Sequence, residues 1–262
     1  MVLLVLAAGC SSPQPTDEEE QATTAAASSL DYVAFGDSLA AGEGATYSYV
    51  YRYADLLGMD TGTEVNVNNL GVSGLTSRQL RAAIENNQRA KDAIEHSEVI
   101  TVNIGANDLL QARLRYKAGY CGGADNQDCF RRAVADFRAN WDAILADITG
   151  LRSPGRAIIR TMDFYNPFVN LDEATDSWPE NGVNDFVVFK KYLEQVNSHI
   201  AESSDAYGIP HARIQEAFNG PNGDEDPNDK GYLYSDRLHP NGTGHDVIAQ
   251  EFRKLGYARE AA

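Results

Sequence analysis

Short runs of β-branched and aliphatic residues alternate along this chain with longer stretches in which apolar residues recur every three to four positions. The short runs lie at 32–35, 64–68, 99–104, 157–161 and 211–214, each of strand length. Helical periodicity covers about 46–57, 77–94, 128–148 and 183–206, and a last helix is expected over about 243–255. In 128–148 the residues Phe130, Val134, Phe137, Trp141, Ile144 and Ile148 mark one buried face. Val99, Ile100, Val102 and Ile104 read as a central strand buried on both sides. Five strands alternating with helices predict an α/β domain with one doubly wound parallel sheet. Two irregular stretches, 164–182 and 218–234, each follow a predicted strand, which puts them at the strand C-termini where such folds bind ligands.

The pattern fails before residue 30. Residues 2–8 are apolar but far short of the roughly 20 needed to span a bilayer. They end in Leu6-Ala7-Ala8-Gly9-Cys10, the small-residue approach to a cysteine expected at the end of a lipoprotein signal. Residues 1–9 then read as a signal remnant, with Cys10 as the site of lipidation. Residues 10–29, rich in Ser, Thr, Ala and Glu, read as a disordered tether, and 30–262 as the folded domain. The expected location is extracytoplasmic, with the lipid on Cys10 as the anchor to a bacterial cell membrane; the alternative is a secreted protein.

Charge and cysteine use narrow the partners. The 262 residues hold 22 Lys and Arg against 38 Asp and Glu, a formal net charge of −16. Such a chain repels phosphate backbones, so no nucleic-acid partner is expected. Cys121 and Cys129 flank a glycine-containing loop short enough for a disulfide, which an extracytoplasmic compartment keeps oxidised; the alternative is a pair of free thiols. No metal site and no cofactor are expected. The acidic run 224–229 lacks the glycine and glutamate of an EF-hand loop and reads as a solvated loop.

Candidate chemistry sits at the strand ends. Gly36-Asp37-Ser38-Leu39 puts a serine hydroxyl after the first strand. A serine is a poor nucleophile until a base takes its proton, and the best partner is His239 in Asp236-Arg237-Leu238-His239-Pro240. In a helical turn the three-residue spacing brings Asp236 to the side of His239, where a carboxylate fixes the imidazole tautomer. Gly71, after the second strand, offers an unhindered backbone N–H, and Asn107, after the third, offers a side-chain amide; with the Ser38 N–H these suit an oxyanion hole. A histidine acting as base must be neutral. Ser73 reads as a cap for the helix near Ser77, Asp37 as a brace for the serine turn, and Asp108 as structural. His96, His199, His211 and His245 read as surface or local hydrogen-bonding residues. Some of Tyr47, Tyr49, Tyr51 and Tyr53 are expected to line the cleft near Ser38.

Taken in chain order, Gly36-Asp37-Ser38-Leu39, the glycine block at Gly71, Gly105-Ala106-Asn107-Asp108 and Asp236-Arg237-Leu238-His239-Pro240 resemble the four blocks of the GDSL, or SGNH, hydrolases, over about residues 32–252. The resemblance implies a three-layer α/β/α sandwich of flavodoxin-like type and hydrolysis of carboxylic esters through an acyl-enzyme. By that resemblance Ser38 is the nucleophile, His239 the base and Asp236 its orienting acid, with Ser38, Gly71 and Asn107 as oxyanion donors. An extracytoplasmic binding lipoprotein using the same crevice without turnover is the alternative. The blocks leave open which acyl and alcohol groups are accepted.

Overall fold

A computed structural model describes residues 1–2 and 29–259; Cys10, most of the expected signal remnant and nearly all of the tether lie outside the described residues. In chain order the elements are β1 (Ser29–Gly36), α1 (Ser38–Ala41), α2 (Tyr49–Thr61), β2 (Glu64–Gly71), α3 (Ser77–Asn86), α4 (Gln88–His96), β3 (Val99–Asn103) and α5 (Ala106–Lys117). They continue with α6 (Asp128–Leu151), β4 (Ile158–Met162), α7 (Val169–Glu173), α8 (Asp185–Ala206), β5 (His211–Ala212), α9 (Ile214–Asn219) and α10 (Gly242–Lys254). The five strands form one parallel sheet in the order β2-β1-β3-β4-β5.

Strand alternation divides the core in two. Val33 and Phe35 of β1, with Ile100 and Val102 of β3, pack against Trp141, Ile144 and other residues of the α3–α6 and α8 layer. Tyr32 and Ala34 face the opposite way, toward α2, α9 and α10. Every residue of β3 is buried, as expected of a central strand covered on both sides. The result is the three-layer α/β/α sandwich.

Several expected elements shift, for local reasons. The single helix expected over 77–94 is two helices, because Asn87 leaves helical geometry at φ −109° and its side chain caps Arg89 N–H. Thr76, not Ser73, caps α3, in a capping box with Gln79; the Ser73 hydroxyl donates to Glu43 instead, at 2.7 Å. β5 is only two residues long, since Ile214 already starts α9. The irregular stretches contain the short helices α7 and α9 and a 3-10 turn at Pro179–Asn181. The acidic run is not a free solvated loop. Asp226 is buried and accepts from Asn170 N–H, while Asp229 accepts from the Asn170 amide, tying the run to α7. Cys121 and Cys129 form the expected disulfide, closing the connection between α5 and α6. Among the described residues no helix is long and apolar enough to cross a membrane.

Candidate active site

β1 and β3 run side by side with Gly36 opposite Asn103, so the chain leaves both strands at one edge of the sheet. Asp37 follows β1, and its carboxylate accepts from Leu39 N–H at 3.1 Å and from the Asn103 amide at 2.9 Å. Asn103 in turn accepts from the Tyr49 hydroxyl at 2.6 Å. This buried chain fixes the turn that starts α1 with Ser38. Burial pushes the Asp37 carboxyl up to about 6, against the pull of the Leu39 and Asn103 donors. Asp37 thus braces the serine turn as expected.

Two segments more than 190 residues apart in sequence meet at Ser38. His239 Nε2 lies 2.9 Å from Ser38 Oγ, and His239 Nδ1 lies 2.7 Å from Asp236 Oδ2. The other Asp236 oxygen accepts from the backbone N–H groups of Leu238 and His239, at 2.9 and 3.0 Å. Burial raises the Asp236 carboxyl, but its bonds from His239 and Leu238 outweigh this and hold it below the usual carboxylate range. The geometry that joins acid to base is not the helical turn expected. It is a tight loop in which Arg237 takes the left-handed conformation at φ +57°, closed by the pairing of Leu233 with Pro240 and by Tyr234 N–H on the His239 carbonyl at 2.8 Å. Tyr165 hydroxyl on the Leu238 carbonyl, at 2.6 Å, anchors the loop to the end of β4.

Gly44 makes that loop possible. At φ +87° its Cα faces the Pro240 carbonyl, and a Cβ there would sit 2.4 Å from that oxygen. His245 supports the same region from beneath: its Nδ1 accepts Tyr49 N–H at 3.1 Å and its Nε2 faces the Glu43 carbonyl at 3.3 Å. His245 is fully buried, and burial lowers it to about 4, so it stays neutral at neutral pH.

Gly71 N–H, expected to face a substrate oxygen, donates instead to Asn69 Oδ1 at 2.9 Å, and its Cα is pressed against Ala40 and Ala41. Asn107 borders the Ser38 cavity and gives one amide hydrogen to the Leu75 carbonyl at 2.9 Å, leaving the second free. Gly74 lies between Ser73, which is bonded to Glu43, and Leu75, which is bonded to Asn107. Its φ is +78°, no atom lies within 4 Å of its Cβ direction, and its N–H makes no hydrogen bond among the described residues. Asp108 is structural, accepting both the N–H and the hydroxyl of Ser77. The tyrosines do not line the cleft. Tyr49 and Tyr53 are buried in the core, and Tyr47 and Tyr51 stack on each other at the far side of α2. Asn103, which braces Asp37, was not among the expected site residues. Asn103 ends a buried strand, and Gly74 stands in the same glycine block as Gly71.

Comparison with known proteins identifies the family. Residues 34–247 match the model of the GDSL-like lipase/acylhydrolase family. The chain is 27% identical over 235 residues to the spore germination lipase LipC of Bacillus licheniformis, covering 88% of this chain and 98% of that protein. It is similar in structure to the lipase Lip_vut3 from a goat rumen metagenome, with a TM-score of 0.72 and 26% identity over 88% of this chain and 99% of the other. It shares its fold with Axe2, an acetylxylan esterase from Geobacillus stearothermophilus, with a TM-score of 0.56 and 18% identity over 89% and 97% of the two chains. With a family match spanning both the Ser38 turn and the Asp236–His239 loop, the chain belongs to the GDSL-like lipase/acylhydrolase family and is a carboxylic ester hydrolase.

Proposed function

We propose that the chain cleaves carboxylic esters through an acyl-enzyme on Ser38, with His239 as general base and Asp236 orienting it. The observation that carries this reading is the unbroken path from Asp236 Oδ2 through the imidazole to Ser38 Oγ, with links of 2.7 and 2.9 Å. With Nδ1–H donated to the carboxylate, the Nε2 lone pair faces the serine hydroxyl. Ser38 Oγ attacks the ester carbonyl while Nε2 takes its proton. The oxyanion accepts from the Ser38 N–H, the second Asn107 amide hydrogen and the Gly74 N–H, which replaces that of Gly71. The alcohol leaves with the proton from Nε2. Water, deprotonated by the same nitrogen, then attacks the acyl carbonyl and frees the acid and Ser38.

A fluorophosphonate probe tests the reading. Ser38 is expected to carry the label, and Ser38→Ala to lose both label and turnover of short aryl esters. Absence of label and of turnover in the native chain would favour a binding role for the same cleft. We further propose that the domain is tethered outside the cytoplasm by lipid on Cys10. The run Leu6-Ala7-Ala8-Gly9-Cys10 and the Cys121–Cys129 disulfide support this. Labelled palmitate should enter the native protein and not Cys10→Ala; equal incorporation would remove the proposal.

A further inference from the structure

A narrow apolar cavity of ≈ 60 Å³ opens beside Ser38 and His239. Leu109 and Leu110 of α5, Phe164 after β4, and Phe189 and Leu193 of α8 form much of its lining. Leu109, Phe164, Phe189 and Leu193 are each no more than 4% exposed and belong to the central core, so the cavity is closed at that end. At ~10–15 Å³ for each water-sized group, it holds about four to six methylenes.

The α8 side of this cavity is braced by a buried ionic network. Arg113 lies one helical turn beyond Leu109 and Leu110 on α5. Its guanidinium stacks 3.7 Å over Phe168 and lies 5.9 Å from the Phe189 ring. It donates through two nitrogens to Asp172 of α7, whose side chain is fully buried. Lys117 adds a pair to Asp172 at 3.3 Å and one to Asp185, the first residue of α8, at 2.5 Å. Asp185 also takes the N–H and hydroxyl of Ser177, each at 2.7 Å. The network therefore joins α5, α7 and the start of α8 around the two phenylalanines. Apolar residues of equal volume commonly stabilise as well as buried ion pairs do, so added stability alone does not account for this network.

We infer that the cavity is the acyl subsite, sized for a linear acyl group of about five to seven carbons, and that Arg113 is a positioning residue that sets this limit by holding Phe168 edge-on against Phe189, which lines the cavity. The inference rests on the Ser38 reaction proposed above and adds where the acyl chain goes and what bounds it.

The test measures kcat/KM for p-nitrophenyl esters from acetyl to hexadecanoyl, with fluorophosphonate labelling of Ser38 as a separate readout. Each methylene that enters the cavity should raise kcat/KM about fourfold up to a maximum between pentanoyl and heptanoyl, with a fall of about tenfold or more by dodecanoyl. Arg113→Lys keeps a positive charge beside Asp172 but loses the flat stacking face. Arg113→Met with Asp172→Leu removes the charged pair together. Each should raise the dodecanoyl-to-pentanoyl ratio by about fivefold or more, whereas a general structural weakening lowers all chain lengths alike. Should the double variant not fold, Arg113→Lys decides alone. Normal labelling with a flat or acetyl-favouring profile would overturn the acyl subsite while leaving the reaction standing. An unchanged ratio in the folded variants would overturn the role of Arg113. Loss of both labelling and turnover in the native chain would overturn the reaction and the subsite together.

Discussion

Asn107 has two amide hydrogens, and the Leu75 carbonyl takes only one of them. The second is the donor that Asn107→Ala removes. Because the side chain is partly exposed and its lost bond lies in a turn, the fold should survive. We predict a fall in kcat of about 10²–10³ with thermal unfolding little changed; near-native turnover would remove Asn107 from the oxyanion hole. Ser38, His239, Asp236 and Asn107 were legible as chemistry, because few residue types serve as nucleophile, base, acid and amide donor, and each follows a strand or precedes the last helix. The choice between glycines was not legible. Gly71 and Gly74 differ in their tertiary surroundings: at Gly71 the Asn69 side chain folds back onto the N–H and Ala40 and Ala41 press on the Cα, while Gly74 stands open. Asn103 was missed for a related reason. It closes a buried strand, and its value comes from meeting Asp37 and Tyr49, which stand 66 and 54 residues away in sequence.

The Asp236–His239 loop is held by its neighbours as much as by its own turn. Gly44 faces the Pro240 carbonyl so closely that a methyl group must displace the backbone next to His239. Gly44→Ala should therefore lower kcat/KM by roughly tenfold to 10²-fold, since small displacements of a catalytic group are costly, and should also destabilise the fold because φ is +87°. Steady-state kinetics with thermal unfolding checks both; an unaffected enzyme would show that the loop is compliant. Strand runs and the long helices α6 and α8 were readable, because apolar residues dominate their buried faces at a regular spacing, with Asn140 in α6 and Asp185, Asn197 and Ser204 in α8 as isolated exceptions. Helix α5 was not anticipated. Its core-facing side mixes Leu109, Ala112 and Tyr116 with Arg113, and a charged residue at an inward position breaks the pattern that marks an amphipathic helix. The charge is tolerated only because Asp172, on a helix hidden in an irregular stretch, meets it.

Across the whole molecule, buried titratable groups give stability a pH dependence that net charge does not describe. His245 sits at about 4 in the fold, below its ordinary 6.5. The unfolded chain then takes up the proton first, so this contribution is complete above pH 6.5 and is lost as pH falls toward 4, by about 3 kcal/mol. Asp37 and Asp163 act oppositely. Burial raises them to about 6 and about 7, so their contribution is present at low pH and is lost as pH rises through those values. Comparing unfolding free energies of the native chain and His245→Gln isolates the first effect. The difference should be flat above pH 7 and shrink between pH 6.5 and 4; a constant difference would mean that His245 titrates normally. The central claim is the covalent reaction at Ser38, and one measurement meets it directly. The native enzyme is mixed with p-nitrophenyl butanoate, quenched in acid within the first turnover, digested and analysed by peptide mass. A butanoyl group on the Ser38 peptide, absent in Ser38→Ala, is the predicted result; turnover with no acyl group on Ser38, or with the group on another residue, would contradict it.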